Sequence, residues 1–353
     1  MKRVLYLTNI ESPYRVRFFN QLARQCDLTV LFERRHCAVR RDHLSGESDC
    51  RFRKRYLRGI PLRRESAFSL GILKEVSRDY DCIIVGCYNS PAQMAAILWM
   101  QLRKIPYFLS TDGELFLQGN SLKTRLKRYF LRGAAGYLAA GPRSTEALAE
   151  IAGEAPVIPY YFSSLTQAEL AQCRSQTQAR ENTVLVVGRD LACKGMDVAL
   201  EAARLDPETP YRFVGMGNDT ERFRRKHAIP PNVRLIPFLS KNALAEEYQR
   251  CGMLLLPSRQ ECWGLVVNEA AAYGTPIVST RGSGAALEFL ADRYPQYLAT
   301  PGDAQDLHRA ILALRHSRDL DYPDYLRRIS AAYSIEAGVA AHMSLIRKGE
   351  ETK

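Results

Sequence analysis

Two carboxylates, Glu261 and Glu269, stand eight positions apart in the stretch RQECWGLVVNEAAAYGTP. The apolar run before this stretch predicts a buried strand, and GLVVNEAAAY predicts a helix that starts about at Gly264. Glu261 is therefore expected in the strand-to-helix loop, and Glu269 more than one turn into the helix. Backbone N–H groups of Gly264, Leu265 and Val266 would face an anion at the positive end of the helix dipole. A carboxylate beside such an anion site suits the hydroxyl groups of a ribose.

A second loop carries two cations. The segment VVGRDLACKGMDVALEAA leads from a predicted strand through Arg189 and Lys194 into a predicted helix, a pattern that suits a pyrophosphate. The alternative is that both are ordinary solvated loop cations. FVGMGND supplies Gly215 and Gly217 after another strand, but no third glycine opens a helix. The dinucleotide fingerprint is thus incomplete, which disfavours a dehydrogenase.

Alternating strands and helices must position these loops. Such alternation predicts an α/β fold built from βαβ units with parallel sheets. The polar stretch 163–182 separates two sets of strands and places a domain boundary near Ser163. Ligands are expected in a cleft at the carboxyl ends of both sheets. The predicted strands are 3–8, 28–33, 82–86, 106–110, 136–140 and 156–160, and then 183–188, 211–215, 233–238, 253–257 and 276–279.

Composition agrees with a two-domain globular chain. The protein has 353 residues and 25% charged residues, and no apolar run reaches the ~18 residues of a membrane span. The N-terminus is predicted to be a first strand and not a secretory signal. Nine cysteines without a C-x-x-C pair or a cysteine–histidine cluster indicate a reducing compartment, with no disulfide framework and no metal site. A cytoplasmic protein is therefore expected.

The positive charge is concentrated in the first half. Residues 1–160 contain 26 Lys and Arg against 15 Asp and Glu, whereas residues 161–353 contain 24 against 23. This asymmetry predicts an anionic partner for the first half, such as a membrane surface or a phosphorylated acceptor. Nucleic acid is disfavoured because no binding module is recognisable.

The second half resembles a known family. The motifs VVGR…KG, FVGMG, VRLIPFLS, LLLPS, ECWGLVVNE and YGTPIVST…GSG occur in the order found in the family-4 retaining glycosyltransferases of the GT-B fold. The resemblance implies two Rossmann-like domains that face each other across a cleft. Residues 1–163 would form the acceptor-side domain, 164–325 the nucleotide-sugar domain, and 326–353 helices that pack back on the first domain. It also implies a UDP- or GDP-linked sugar as donor, with no cofactor and no metal.

The resemblance also implies roles for individual residues. Glu269 would hold the ribose hydroxyls, Glu261 would lie beside the donor sugar, and backbone around Phe238 would meet the base. Arg189 and Lys194 would bind the diphosphate and stabilise the charge that grows on it. The other donor-binding residues implied are Gly215, Gly217, Cys262, Trp263, Gly264, Leu265 and Val266.

The sequence departs from the family at three places. Cys262-Trp263 replaces a small residue or proline followed by phenylalanine, which is expected to alter packing only. The spacing from Arg189 to Lys194 is short. In STDGE, Asp112 stands where many members carry a histidine that touches the donor sugar. Asp112 is predicted either to take over that catalytic contact or to be an ordinary acid in a turn beside Glu114. None of the six histidines is a compelling base.

The first half is predicted to hold the acceptor. TNIESPYRVRFFNQLA resembles a subgroup of bacterial surface-polysaccharide transferases, and it places Ser12, Pro13 and Tyr14 on the acceptor side. The acceptor would be lipid-linked or a glycan. Residues 121–141 begin an amphipathic helix with Lys123, Lys127 and Arg128, and 51–64 form a second cationic patch. Both could rest on anionic lipid at the inner face of the cell membrane. The alternative for the helix is a solvated face with one buried side.

Three functions remain open at this stage. The leading one is a glycosyltransferase of cell-surface polysaccharide biosynthesis. The second is a sugar-nucleotide epimerase on the same architecture, which the motif order and the basic first domain disfavour. The third is a non-catalytic protein of transferase-like fold.

Overall fold

A computed structural model describes residues 1–34, 50–62, 67–76, 79–113, 117, 119, 121–175 and 179–348. The chain forms two compact units. The first contains Met1–Ser164 with Ile335–Lys353, and the second contains Leu165–Ser334.

The first unit is built on a parallel sheet of seven strands in the order β3-β2-β1-β6-β7-β8-β9. A separate two-stranded antiparallel hairpin, β4–β5, follows the edge strand β3. The elements are β1 (Arg3–Ile10), α1 (Pro13–Leu22), β2 (Asp27–Arg34), β3 (Arg53–Tyr56), β4 (Ile60–Pro61), β5 (Ala67–Phe68), α2 (Ile72–Glu75), β6 (Cys82–Val85), α3 (Pro91–Leu102), β7 (Phe108–Thr111), α4 (Leu122–Leu131), β8 (Gly136–Ala140), α5 (Pro142–Ala152), β9 (Val157–Tyr160) and α14 (Ile335–Lys348).

Helices cover both faces of this sheet. Buried residues of α2, α3, α4 and α5 join those of the strands in one hydrophobic core, so these four helices share a face. Helices α1 and α14 contact each other, and Leu345 of α14 lies against Gly136 on the opposite side of β8. Strands buried on both faces explain the nearly continuous apolar runs that predicted them.

The second unit contains a parallel sheet of six strands in the order β12-β11-β10-β13-β14-β15. Its elements are α6 (Gln167–Ser175), β10 (Val184–Val187), α7 (Met196–Arg204), β11 (Tyr211–Val214), α8 (Thr220–Lys226), β12 (Val233–Ile236), α9 (Lys241–Arg250), β13 (Met253–Leu256), α10 (Leu265–Ala272), β14 (Ile277–Thr280), α11 (Gly284–Leu290), β15 (Leu298–Ala299), α12 (Ala304–Arg315) and α13 (Tyr322–Ser330).

The α/β class with two parallel-sheet domains is confirmed, and a strand is present at each of the eleven predicted positions. The predicted cationic patch 51–64 contains the edge strand β3, which pairs with β2 and exposes its three cations; residues 63 and 64 lie outside the described residues. Each of these three cations has a carboxylate partner. The ion pairs join Arg53 to Asp27, Lys54 to Glu11 and Arg55 to Glu75.

The end of the chain differs from the predicted tail 326–353. Helix α13 belongs to the second unit and packs on α10, and its Tyr322 hydroxyl donates to the carbonyl of Ile277 in β14 at 2.8 Å. Only the segment from Ile335 onward joins the first unit. Residues 322–348 are long and apolar enough to span a membrane by length and composition alone, but they form two helices, α13 and α14, whose apolar residues are mostly buried within the protein.

Arg180 joins the carboxyl ends of two helices of the second unit. Its Nη1 lies 2.9 Å from the carbonyl oxygen of Tyr248 in α9, and its Nη2 lies 2.8 Å from that of Tyr273, which follows α10. A cation at a helix carboxyl end satisfies unpaired carbonyl groups and complements the dipole. Burial lowers the pKa of Arg180.

We predict that Arg180→Met lowers the free energy of unfolding by about 2 kcal/mol, because the carbonyl groups that it binds lose their donor. Urea titration followed by circular dichroism measures this change. Arg174→Met, at an exposed position of α6, is the matched control. Equal stability of the two variants would contradict the assigned role.

Candidate functional site

The sheet of the second unit reverses its direction of growth between β10 and β13. Strands β11 and β12 extend it on one side, and β14 and β15 extend it on the other. A crevice forms at the carboxyl edge of such a reversal and is the usual ligand position in open parallel sheets. The loops 188–195 and 257–264 follow β10 and β13, so both predicted loops lie at this edge.

The two loops touch through their backbones. Gly195 has a φ of 67°, and a β carbon on it would lie 2.0 Å from the carbonyl oxygen of Pro257. The carbonyl oxygen of Cys193 accepts the backbone N–H groups of Arg259 at 2.8 Å and Gln260 at 3.1 Å. Only glycine fits at position 195, because any side chain would push the loops apart.

Arg259 adds a side-chain link between the loops. Its two terminal nitrogens each lie 2.7 Å from a carboxylate oxygen of Asp197 in α7. These hydrogen bonds lower the pKa of Asp197. A two-pronged pair of this kind fixes orientation as well as distance. The sequence analysis did not single out Arg259, although it stands two residues before Glu261.

Lys194 and Glu261, one from each loop, form an ion pair through Nζ and Oε2. Their side chains keep 28% and 18% of their exposure, so the pair lies at the surface of the crevice and not in the core. The backbone N–H of Glu261 donates to the carbonyl of Gly282 at 2.8 Å, which fixes the loop against the segment after β14. Despite the short spacing from Arg189, Lys194 thus reaches the carboxylate.

Helix α10 begins beside this ion pair. Gly264 precedes its first turn with a φ of 105°, and a β carbon there would lie 2.9 Å from Ser283 Oγ. Leu265 and Val266 are the first two residues of the helix and are half-buried. Backbone N–H groups at these positions have no acceptor within a helix. The positive end of the helix dipole therefore lies next to the loop that carries Glu261.

Glu269 is the fifth residue of α10 and is half-buried. The hydroxyl group of Tyr248 in α9 donates to Glu269 Oε2 at 3.0 Å. Burial, and then the charge of Glu269, raise the pKa of Tyr248 well above its usual value, so the phenol keeps its proton. The carboxylate is thus held in one orientation, one helical turn behind the first N–H groups.

The Cys262–Trp263 pair divides between surface and interior. Cys262 is exposed, whereas Trp263 is 4% exposed and its indole N–H donates to Asn268 Oδ1 at 2.7 Å. The Trp263 ring lies 5.8 Å from the ring of Tyr333. Trp263 therefore supports the loop from below and does not line its surface.

The remaining predicted donor residues lie along the same sheet edge. Arg189 follows β10, is 30% exposed, and places Nη2 3.5 Å from Asp219 Oδ2. Asp219 follows the turn of Gly215 and Gly217, which have φ values of 98° and 49°. Phe238 comes after β12 and is 50% exposed. The carboxyl ends of β10, β11, β12 and β13 thus carry every predicted donor-site loop.

In the first unit, the corresponding reversal lies between β1 and β6. Ser12, Pro13 and Tyr14 occupy the connection from β1 into α1. Ser12 is buried, and Pro13 opens the helix, as its fixed φ permits. Tyr14 packs edge-on against Phe162 with ring centroids 5.7 Å apart.

Asp112 follows β7 and is bound from two sides. Arg15 of α1, whose side chain is only 9% exposed, forms an ion pair with Oδ2, and the Tyr160 hydroxyl lies 3.2 Å from Oδ1. Asp112 is therefore the counter-ion of a buried arginine that the sequence analysis missed. The sequence does offer a signal for this arginine, because the segment SPYR places it directly after the first strand. Glu114 lies outside the described residues.

His342 of α14 lies near this pair. Burial lowers its pKa to about 4, and its Nδ1 lies 2.8 Å from the carbonyl oxygen of Gly338. It is thus neutral at physiological pH, and its Nδ1 is occupied. His36 and His43 lie outside the described residues.

The three predicted membrane cations differ in exposure. Lys123 is exposed, whereas Lys127 and Arg128 are half-buried. Arg128 Nη2 donates to the carbonyl oxygen of Leu117 at 3.1 Å. Arg125 and Arg132, the other two cations of the predicted amphipathic helix, are exposed. The sequence could not rank these residues, because the sheet decides which side of α4 is covered.

Comparison with known proteins agrees with this geometry. Residues 171–333 match the family of glycosyl transferases group 1. An uncharacterized glycosyltransferase from Methanocaldococcus jannaschii is 30% identical over 142 residues, 39% of this chain and 40% of that protein. The lipopolysaccharide glucosyltransferase WaaG from Escherichia coli is 30% identical over 132 residues, 35% of this chain and 34% of WaaG. The chain thus spans less than half the length of these relatives.

Solved structures extend the likeness to the whole chain. Sucrose-phosphate synthase from Thermosynechococcus elongatus superposes with a TM-score of 0.70 at 17% identity and covers 100% of both chains. HepE from Anabaena, in complex with UDP and glucose, superposes with a TM-score of 0.68 at 16% identity and covers 99% of this chain and 100% of HepE. The second unit thus matches the group 1 glycosyl transferases over residues 171–333, and the two units have the GT-B fold of these solved structures.

Proposed function

We propose that the protein transfers a sugar, with retention of configuration, from a UDP- or GDP-linked donor to a lipid-linked or glycan acceptor. The observation that carries this proposal is the set of groups around the start of α10. Lys194 and Glu261 meet across the reversal of the sheet, free helix N–H groups follow, and Glu269 lies one turn behind. One nucleotide-sugar matches all of them: its sugar would meet Glu261, its diphosphate Lys194 and the helix N–H groups, and its ribose Glu269.

The chemistry follows from charge. Arg189, Lys194 and the N–H groups at the start of α10 stabilise the negative charge that grows on the diphosphate as its bond to the anomeric carbon breaks. The acceptor hydroxyl attacks the same face of the sugar and forms the new glycosidic bond. The leaving phosphate oxygen takes the hydroxyl proton. Glu261, beside Lys194, accepts hydrogen bonds from the hydroxyl groups of the donor sugar.

The acceptor belongs, on this proposal, to the carboxyl edge of the first unit's sheet. Ser12, Pro13 and Tyr14 form its predicted side, and Asp112 follows a neighbouring strand of the same unit. Because Asp112 is paired with Arg15, we propose that its carboxylate acts as an orienting hydrogen-bond partner and not as a base that abstracts a proton. A role in cell-surface polysaccharide synthesis is supported by the name of one relative, a lipopolysaccharide glucosyltransferase.

We further propose that α4 holds the protein to anionic lipid at the inner face of the cell membrane. Leu122, Leu126 and Tyr129 form one stripe of the helix and are 82%, 48% and 54% exposed. The exposed cations Lys123 and Arg125 flank this stripe on either side. An apolar stripe between cations is the arrangement of helices that lie in a bilayer interface.

Glu269→Gln is expected to weaken donor binding roughly ten-fold, because the amide offers the ribose one fewer charged acceptor. Calorimetric titration with a panel of UDP- and GDP-sugars measures the dissociation constant. Glu246→Gln, the same change at an exposed position of α9, should bind as the wild type does. Unchanged affinity in Glu269→Gln would contradict the ribose assignment.

Arg189→Ala and Lys194→Ala should each lower turnover roughly 10²-fold, the usual cost of removing one group that stabilises developing charge. Lys226→Ala, at an exposed end of α8, is the control. Turnover is measured as sugar transferred to the acceptor, with a parallel assay lacking acceptor to detect an epimerised donor. Near-normal turnover of Lys194→Ala would leave Arg189 as the only diphosphate cation.

The α4 proposal predicts loss of vesicle binding when the exposed cations are replaced together by glutamine at 123, 125 and 132. Each cation near an anionic surface contributes about 1 kcal/mol, so binding should fall by roughly two orders of magnitude. The matched control replaces the three exposed cations Arg224, Arg225 and Lys226 of α8. Cosedimentation with phosphatidylglycerol vesicles is the measurement, and equal pelleting of both triple variants would refute the proposal.

A further inference from the structure

Exposed apolar side chains of the first unit gather on one face. Fourteen large hydrophobic residues of the described chain are exposed, and nine of them lie on α4, α3 or the β4–β5 hairpin with its flanks. Three are the α4 stripe. The other six, here called the hairpin patch, are Ile60 (68%), Leu62 (39%), Phe68 (43%), Leu70 (57%), Leu98 (42%) and Leu102 (75%).

The hairpin patch is one surface and not scattered residues. Strand β5 contacts α3, the helix that carries Leu98 and Leu102 one turn apart. The approach of the two hairpin arms is close, since a β carbon on Gly59 would lie 2.5 Å from the carbonyl oxygen of Phe68. The Ser69 hydroxyl donates to the carbonyl of Arg58 at 2.6 Å and ties the arms together.

The hairpin patch and α4 belong to the same layer. Helices α2, α3 and α4 share one buried core on a single face of the sheet. Gln101, at the end of α3, donates to the carbonyl of Arg132, at the end of α4, with a distance of 3.1 Å. The two exposed apolar surfaces are therefore carried by adjacent helices that cover the same side of the sheet.

Exposed cations adjoin the patch residues along the chain. Arg58, Arg103 and Lys104 are all exposed, and Arg103 stacks over the ring of Trp99 at 4.5 Å. Contiguous exposed apolar patches with a polar rim mark interaction surfaces. A rim of cations around an apolar centre complements anionic headgroups above a hydrocarbon layer.

We propose that the hairpin patch is a second membrane contact, in which Phe68, Leu102 and their neighbours enter the interface of an anionic bilayer beside α4. The inference extends the membrane part of the proposed function and is independent of the donor site. The two contacts are expected to respond differently to salt. Attraction through the α4 cations is screened by salt, whereas apolar insertion is not.

The test compares Phe68→Ser/Leu102→Ser with Leu205→Ser/Leu320→Ser, a control pair that is 47% and 91% exposed in the second unit. Cosedimentation with mixed phosphatidylglycerol–phosphatidylcholine vesicles is measured at about 0.1 M and about 1 M salt, where the Debye length falls from about 10 Å to about 3 Å. At the higher salt the patch variant should bind at least roughly ten-fold more weakly than wild type, and the control pair should not.

Each other outcome overturns the inference. Equal binding of the patch variant and wild type at both salts would mean that the patch does not meet lipid. Unchanged vesicle binding with altered sedimentation velocity in the absence of lipid would make it a contact between protein chains. Binding lost only on mutating the α4 cations would leave α4 as the single membrane contact. Thermal unfolding and donor titration of each variant verify that fold and donor site are intact.

Discussion

The contact between the backbones of loops 188–195 and 257–264 is the constraint on which the proposed donor site depends. The carbonyl oxygen of Pro257 occupies the space that a β carbon at position 195 would need, so the turn at Gly195 can close only as glycine. That closure brings Lys194 to Glu261, and the fork from Arg259 to Asp197 keeps it closed. Residues that are far apart in the chain thereby act as one surface.

The same closure holds in place the two cations that we propose bind a diphosphate. Lys194 is held by Glu261, and Arg189 is held by Asp219. Neither side chain therefore has to be ordered when a donor binds. Asp219 also lies 3.1 Å from Arg222, and that second partner remains when Arg189 turns to phosphate. Preorganised charge of this kind lowers the cost of reorganisation during the reaction. The arrangement therefore favours exchange of one anion for another over assembly of a new site.

How far the sequence predicted this structure depended on the range of the interaction. Apolar runs predicted eleven strands but not the buried two-residue strand β15, and local motifs predicted the strand–loop–helix position of Glu261 and Glu269. The strand at 53–56 was missed because its residues are mostly charged and it is stabilised by pairing with β2. Tyr248 and Arg15 were missed for a similar reason, since each meets its carboxylate only through tertiary packing. A sequence shows which groups a loop offers, but not which distant groups will hold them.

The positions of the two tryptophans make their fluorescence a probe of two separate regions of the protein. Trp263 lies beneath the donor loop with its indole bonded to Asn268, and Trp99 lies beneath Arg103 on the helix that carries Leu102. One indole therefore belongs to each unit, and each stands beside a different proposed contact. When either tryptophan is replaced by phenylalanine, all of the tryptophan fluorescence comes from the other one. The proposed nucleotide-sugar binding and the proposed lipid contact can then be followed separately by tryptophan fluorescence in an otherwise unlabelled protein.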